Sequence, residues 1–386
     1  MGYLHGVERM ELLERELSGQ RLGLITNPSG VSRDLRATVD LLNEKFKLCA
    51  LFSAEHGVRG DAQAGSHVKF YIDGRTGLPV YTMYGSDHSE ALAAFDELDT
   101  IVYDIQDVGL RFYTYIYTLA EAMQAAAKKG KRVVVLDRAD PLGLARVEGS
   151  LLDENFTSGV GKYSLPSRYG LTVGEFARYI NQEYSIGCEL SVIPCADLRR
   201  GDDYESLGIP WVLPSPNLPT VESTICYAGT VLFEGTNLSE GRGTTKPFEM
   251  IGAPWLRSEE IVEHFNSKKL AGAILRTAYF TPSFSKHAGE LCRGFQIHIT
   301  NKAQFEPFKL GLELVDHIRK THSEFRFRDE SEDAEIAKEQ KIFIDLLLGS
   351  RALRLSDFDA ESFMAEENLK LAAFKQRAQK YWLYEE

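Results

Sequence analysis

In the first 140 residues, short apolar runs alternate with stretches of helical periodicity, and this alternation limits the fold more than any other feature of the chain. The runs at 21–26, 47–52, 80–84, 100–105 and 132–136 are apolar and bounded by polar residues, the pattern of buried strands. Between them, 34–45, 89–98 and 113–129 repeat apolar residues at helical spacing. Ile116, Leu119, Ala120 and Met123 form one face of the last stretch. Lys128, Lys129 and Gly130 then end it, with cations on the negative end of the helix dipole and a glycine free to turn. Strands alternating with helices predict an α/β fold, a doubly wound and mostly parallel sheet.

A boundary is expected near 145–160, dividing the chain into domains at 1–150 and 151–386. The second part mixes helix signals (172–183, 258–266, 305–321) with strand signals (189–193, 273–280, 295–299), so it reads as α+β. Residues 210–254 are rich in Pro and Gly and read as one long functional loop. The tail from 329 to 386 reads as helical and acidic, closing on Tyr381, Trp382 and Tyr384.

Composition narrows the function. Lys plus Arg is 44 against 56 Asp plus Glu, a net charge of -12, which repels phosphate backbones and argues against a nucleic-acid partner. No apolar run approaches the 18 residues needed to span a bilayer. Five scattered cysteines without a Cys-x-x-Cys pair argue against a disulfide framework or a zinc ribbon. The N-terminus lacks a basic segment followed by an apolar one, so the chain as it stands is expected in the cytoplasm; a chain trimmed of a signal peptide would instead act outside it. Gly-x-Gly-x-x-Gly, His-Glu-x-x-His and Gly-x-Ser-x-Gly are all missing, so no cofactor or metal is expected.

In doubly wound sheets ligands sit beyond the carboxyl ends of the strands. Those ends carry Asn27-Pro28-Ser29-Gly30, then Ser53-Ala54-Glu55-His56-Gly57-Val58-Arg59-Gly60, then Asp104-Ile105-Gln106-Asp107-Val108-Gly109-Leu110-Arg111, then Asp137-Arg138-Ala139-Asp140-Pro141. Any one of these is an ordinary capping or turn sequence; four on one rim point to carboxylate acid/base chemistry. Glu55 is delivered by an apolar strand, and partial burial there would fit it as a general acid. Asp104 and Asp107 are candidates for base, nucleophile or orienter. A second polar set, Glu234, Asn237, Glu240 and Arg242, lies in a glycine-rich run suited to hydrogen-bonding a polyhydroxylated ligand.

These rim segments, together with Trp211-Val212-Leu213-Pro214-Ser215-Pro216-Asn217, the 234–245 run, Pro247-Phe248-Glu249 and the closing Tyr381-Trp382-Leu383-Tyr384, resemble the signature segments of the NamZ-type exo-β-N-acetylmuramidase family. The resemblance runs from about residue 20 to 384. It implies a Rossmann-like domain with a smaller C-terminal domain completing the pocket, and release of N-acetylmuramic acid from the non-reducing end of peptidoglycan fragments. It also implies that Glu55, in the Glu-His-Gly motif, is the catalytic glutamate. From motif position, Asn27, His56, Arg59, Gln106, Arg111, Trp211 and Asn217 join the second-domain set as substrate contacts. Arg59, Arg111 and Arg242 are the cations available for a lactyl carboxylate, and Trp211 is the aromatic best placed for a sugar face. A non-catalytic cell-wall sugar binder and a β-N-acetylglucosaminidase remain as alternatives.

Overall fold

The computed structural model describes residues 2–54, 57–60, 70–83, 88–328 and 342–386. In the first part the strands are β1 (Leu22–Thr26), β2 (Leu48–Ser53), β3 (Tyr71–Ile72), β4 (Pro79–Thr82), β5 (Thr100–Asp104), β6 (Arg132–Leu136), β7 (Glu148–Leu151), β8 (Pro166–Arg168) and β9 (Glu189–Ile193). Seven of them form one sheet in the order β3-β4-β2-β1-β5-β6-β9, parallel throughout except that β3 runs against β4.

Period-two alternation explains why the sheet is covered on both faces. Leu24, Leu51, Val102 and Val134 pack with Leu13, Leu17, Val39 and Leu42 from the helices Met10–Leu17 and Thr38–Lys45. Their neighbours Ile25, Phe52, Tyr103 and Val135 turn the other way, toward Ile116, Leu119 and Met123 of the helix Tyr115–Lys129 and Phe176 and Ile180 of Val173–Glu183. This is the doubly wound α/β arrangement that the alternation predicts.

The later strands β10 (Met250–Ala253), β11 (Ala273–Phe280) and β12 (Cys292–Ile299) make a smaller antiparallel sheet in the order β10-β12-β11, with the helix Ser258–Ser267 packed on β11. The helices Val221–Thr230 and Pro307–Thr321 cross so closely that a side chain at Gly229 would strike the Pro307 carbonyl, and one at Gly311 would strike that of Gly229.

Three expectations need correcting. A boundary at residue 150 would cut the main sheet, because β9 pairs with β6 from Arg132↔Glu189 to Leu136↔Ile193. The 210–254 stretch is not one loop: it holds the buried helix Val221–Thr230, capped by the Thr220 hydroxyl accepting from the Ser223 amide, and it ends in β10. The tail is helical at Phe343–Leu348 and Ala360–Ala378, while 329–341 lie outside the described residues.

The closing aromatic cluster docks on the first part of the chain. The Tyr384 hydroxyl donates to Asp137 Oδ2 at 2.6 Å and accepts from the Cys195 amide at 2.9 Å. Leu383 N donates to Glu175 Oε1 at 2.7 Å, and the Trp382 ring lies 3.7 Å from the Arg200 guanidinium, which is itself paired with Glu175. Among the described residues no helix is long and apolar enough to cross a membrane. All five cysteines are unpaired, and all but Cys49 are buried.

Candidate functional site

Register brings the strand ends together. Thr26 of β1 stands opposite both Ser53 of β2 and Asp104 of β5, so the chains leaving these strands emerge on one line. Glu55 and His56 follow two and three residues after Ser53 and lie outside the described residues.

Asn27, Ser29 and Gln106 tie the rim together. Asn27 Oδ1 accepts from the Ser29 amide at 2.9 Å and its hydroxyl at 2.5 Å, and Ser29 Oγ accepts from the Gln106 amide at 3.0 Å. Gln106 Nε2 donates to the carbonyls of Asp107 at 2.7 Å and Ala139 at 2.8 Å, joining the loops after β5 and β6. The Pro214 carbonyl accepts from Asn27 Nδ2 at 3.3 Å and from the Tyr115 hydroxyl at 3.0 Å, which seats the Trp211–Asn217 motif on this rim. Trp211 spends its indole N–H on the Leu218 carbonyl at 3.1 Å and packs edge-on against Tyr204. Asn217 differs: it is buried, and its amide has no partner among the described residues.

The two aspartates of the β5 loop differ in kind. Asp104 is fully buried, gripped by Arg138 at 2.5 and 2.8 Å, with the Thr38 hydroxyl on the same carboxylate. Both of its oxygens are thus engaged by protein donors. Asp107 Oδ2 accepts from the Tyr169 hydroxyl and from the Gly109 amide at 2.9 Å, but Oδ1 is buried without a partner among the described residues. Burial pushes this carboxyl up to about 6, against the pull of those donors.

The residue that sequence reasoning passed over is Asp140, in the loop after β6. Its Oδ1 accepts from the Leu142 amide at 2.8 Å, while Oδ2 is buried with no partner among the described residues. Burial, then the charge of Asp107, push its carboxyl up to about 8. Gly109 lies between the two carboxyls: its amide serves Asp107, its φ is +67°, and a side chain there would collide with Asp140. The motif Asp137-Arg138-Ala139-Asp140 was visible in the sequence, but not that its last residue presses on Gly109 of the β5 loop.

The arginines expected to meet a substrate carboxylate already have protein partners. Arg59 is bound to Asp73 at 2.6 Å and Asp40 at 3.0 Å, and these partners hold its guanidinium charged. Arg111 is wholly buried and donates to the carbonyls of Leu347 at 3.0 Å and Leu348 at 3.3 Å, ending the helix Phe343–Leu348. That makes Arg111 a strut between the two parts of the chain, not a rim residue, and desolvation lowers its guanidinium to about 10. Arg242 is bound to Glu234 at 2.6 Å and Glu240 at 3.2 Å. Lys286, another residue the sequence did not single out, stands 2.8 Å from Glu240 and donates to the carbonyls of Phe233 and Thr236. Asn237 is committed to the backbone of Glu324 and Arg326. This second-domain cluster reaches the rim through rings: Arg242 lies over Phe248, which touches Tyr227, which packs edge-on against Phe112 of the β5 loop.

Among the described residues no three His, Cys, Asp or Glu are grouped to hold a metal ion. A cavity of about 450 Å³ lined by Arg146, Glu148, Phe308, Lys309, Met364 and Lys375 includes none of the rim residues.

Comparison with known proteins identifies the family and the fold. Residues 22–222 match the model for the N-terminal part of exo-β-N-acetylmuramidase NamZ, and 225–384 match its C-terminal part. The chain is 50% identical over 313 residues, 81% of its length and 76% of the relative's, to peptidoglycan β-N-acetylmuramidase NamZ of Bacillus subtilis (strain 168). Crystal structures of two DUF1343 family proteins from Bacteroides fragilis NCTC 9343 superpose on it. One has a TM-score of 0.87 at 32% identity, covering 99% of both chains; the other has 0.78 at 29%, covering 100% of both. With family models spanning both parts of the sequence and a half-identical relative over most of it, the chain belongs to the NamZ exo-β-N-acetylmuramidase family.

Proposed function

We propose that the protein is an exo-acting glycoside hydrolase that releases N-acetylmuramic acid from the non-reducing end of peptidoglycan fragments. Family membership supports the substrate and the bond. The observation that carries the chemistry is Asp107, an enclosed carboxyl with one unpaired oxygen, held near 6 so that it is largely ionised at neutral pH. In this reading Glu55 protonates the glycosidic oxygen, and Asp107 either draws a proton from the attacking water or attacks the anomeric carbon itself. Asp104, with both oxygens engaged, holds the loop. Carboxyl separations of about 5–5.5 Å mark retention and about 6.5–9.5 Å inversion.

The test is release of sugar from N-acetylmuramyl-β-1,4-N-acetylglucosamine, followed by mass spectrometry, with proton NMR of the first-formed anomer. Wild type should release N-acetylmuramic acid, while Glu55→Gln and Asp107→Asn should lose at least a hundredfold in kcat. Cleavage of the corresponding glucosaminide at an equal rate would make the protein a β-N-acetylglucosaminidase instead. Tight binding with no product would make it a sugar-binding protein.

A further inference from the structure

Arg59 stands four residues after Glu55 in the sequence, and its guanidinium is spent on two carboxylates from other elements. Nε donates to Asp73 Oδ1 at 2.6 Å, while Nη2 donates to Asp73 Oδ2 and to Asp40 Oδ1, both at 3.0 Å. Asp73 opens the turn between β3 and β4, at the edge of the main sheet, and Asp40 lies on the helix Thr38–Lys45. Both acids are buried, and further donors fix them in place. The Thr76 amide at 2.9 Å and hydroxyl at 2.6 Å serve Asp73 Oδ2, and Arg75 lies 3.1 Å from Asp40. Three separate pieces of chain therefore meet at Arg59.

The neighbours of Arg59 are fixed as well. Val58 is buried in the cluster of Leu24, Val39, Leu51 and Val80. Gly60 has a φ of +80°, and a side chain there would come within 3.0 Å of Pro28 in the loop after β1. On the other side, the Gly57 amide donates to the Ala54 carbonyl at 3.4 Å, and Ala54 is buried directly after β2. The chain is thus held on both sides of Glu55 and His56. Drawing two carboxylates and a guanidinium out of water adds little net stability. What a planar fork on fixed oxygens adds is direction, which a general acid needs: a displacement of about 1 Å can cost about a hundredfold in rate. Arg59 also holds the Asp73 carboxyl well below the usual carboxylate range, so the clamp stays ionised at neutral pH.

We propose that Arg59 is a positioning residue, and that its clamp on Asp73 and Asp40 fixes the segment carrying Glu55 for proton transfer to the leaving oxygen. The clamp stands whatever the protein hydrolyses; its effect on turnover rests on the muramidase reading. Arg59 acts through the chain it holds and needs no contact with substrate.

Hydrogen exchange of the folded protein tests the clamp without reference to activity. Arg59→Lys keeps the charge but loses the fork, so exchange in the peptide containing Gly57 should rise at least tenfold, with exchange in β5 as in wild type. Unchanged exchange around Gly57 overturns the clamp. If Arg59→Lys fails to fold, Asp73→Asn, which breaks the two-point grip from the other side, decides the same question.

The positioning role is read from two substrates with the same glycone. The leaving sugar of N-acetylmuramyl-β-1,4-N-acetylglucosamine needs a proton, whereas the phenolate of 4-nitrophenyl N-acetyl-β-muramide departs without one. Arg59→Lys should lower kcat at least tenfold on the disaccharide, with KM within twofold, and less than twofold on the aryl muramide. Asp107→Asn should impair both. Equal effects of Arg59→Lys on the two substrates, or a rise in KM in place of the fall in kcat, overturn the positioning role. A wild type that hydrolyses neither overturns the muramidase reading and the positioning role with it, while hydrogen exchange still decides the clamp.

Discussion

Arg138 holds both oxygens of Asp104, at 2.5 and 2.8 Å, with both side chains removed from water at the end of β5. A buried pair of this kind is costly to break from one side, because the remaining charge has nowhere to go. Arg138→Met is therefore expected to destabilise the protein by about 3–5 kcal/mol. The double replacement Arg138→Met with Asp104→Leu should recover much of that loss. Urea unfolding of the two variants distinguishes this from a direct role of Asp104 in catalysis, which the double variant could not restore.

Tyr169 donates to the Asp107 carboxylate, and that bond lowers its proton affinity. Tyr169→Phe removes the donor, so Asp107 should protonate more readily. Activity that depends on ionised Asp107 rises with pH through its titration. The acidic limb of kcat/KM, near pH 6 in wild type, should thus move upward by about one unit, the equivalent of about 1.4 kcal/mol. A limb that stays in place would detach Asp107 from the rate.

Asn217 is buried on the rim motif and its side-chain amide has no partner among the described residues, so its replacement should be felt by substrate more than by the fold. Asn217→Ala should lower kcat/KM about tenfold, the worth of one well-made hydrogen bond, with Tm within a degree or two. A large fall in Tm with unchanged kinetics would make Asn217 a packing residue.

Arg111 gives the opposite contrast. Its terminal N–H groups end the helix Phe343–Leu348. Arg111→Met should cost about 1.5–3 kcal/mol of stability through the lost charged hydrogen bonds and leave KM unchanged. Thermal unfolding beside steady-state kinetics checks both halves.

How much of this the sequence carried depended on how local the signal was. β6 and β9 were legible to the residue because each is a short apolar or alternating run with polar flanks. The helix Val221–Thr230 was hidden: it is buried on nearly every side and so lacks an amphipathic period, and a run of prolines ending at Pro219 stands just before it. Its one local mark was the Thr220-Val221-Glu222-Ser223 cap. Asp107 could be nominated from a strand end. Asp140 could not be singled out, because its place against Gly109 depends on how two loops fold. The partners of the three arginines were hidden for the same reason. Asp73, the Leu347 carbonyl and Glu234 are their partners in space, and in Arg111's case the partner is more than two hundred residues away.

The docking of Tyr384 on Asp137 and Cys195 also bears on the order in which this protein can be made. Asp137 ends the β6 segment, and its Oδ2 depends on a hydroxyl translated almost 250 residues later. Ribosomes add about 5–20 residues per second and domains tend to fold as they emerge, so for tens of seconds the nascent sheet must exist with this carboxylate only partly satisfied. Its native packing becomes available only when the closing aromatic cluster leaves the exit tunnel. Premature termination a few codons short of Tyr384 would thus release a chain whose early half is complete in sequence yet unfinished in structure, a natural client for chaperones and proteases.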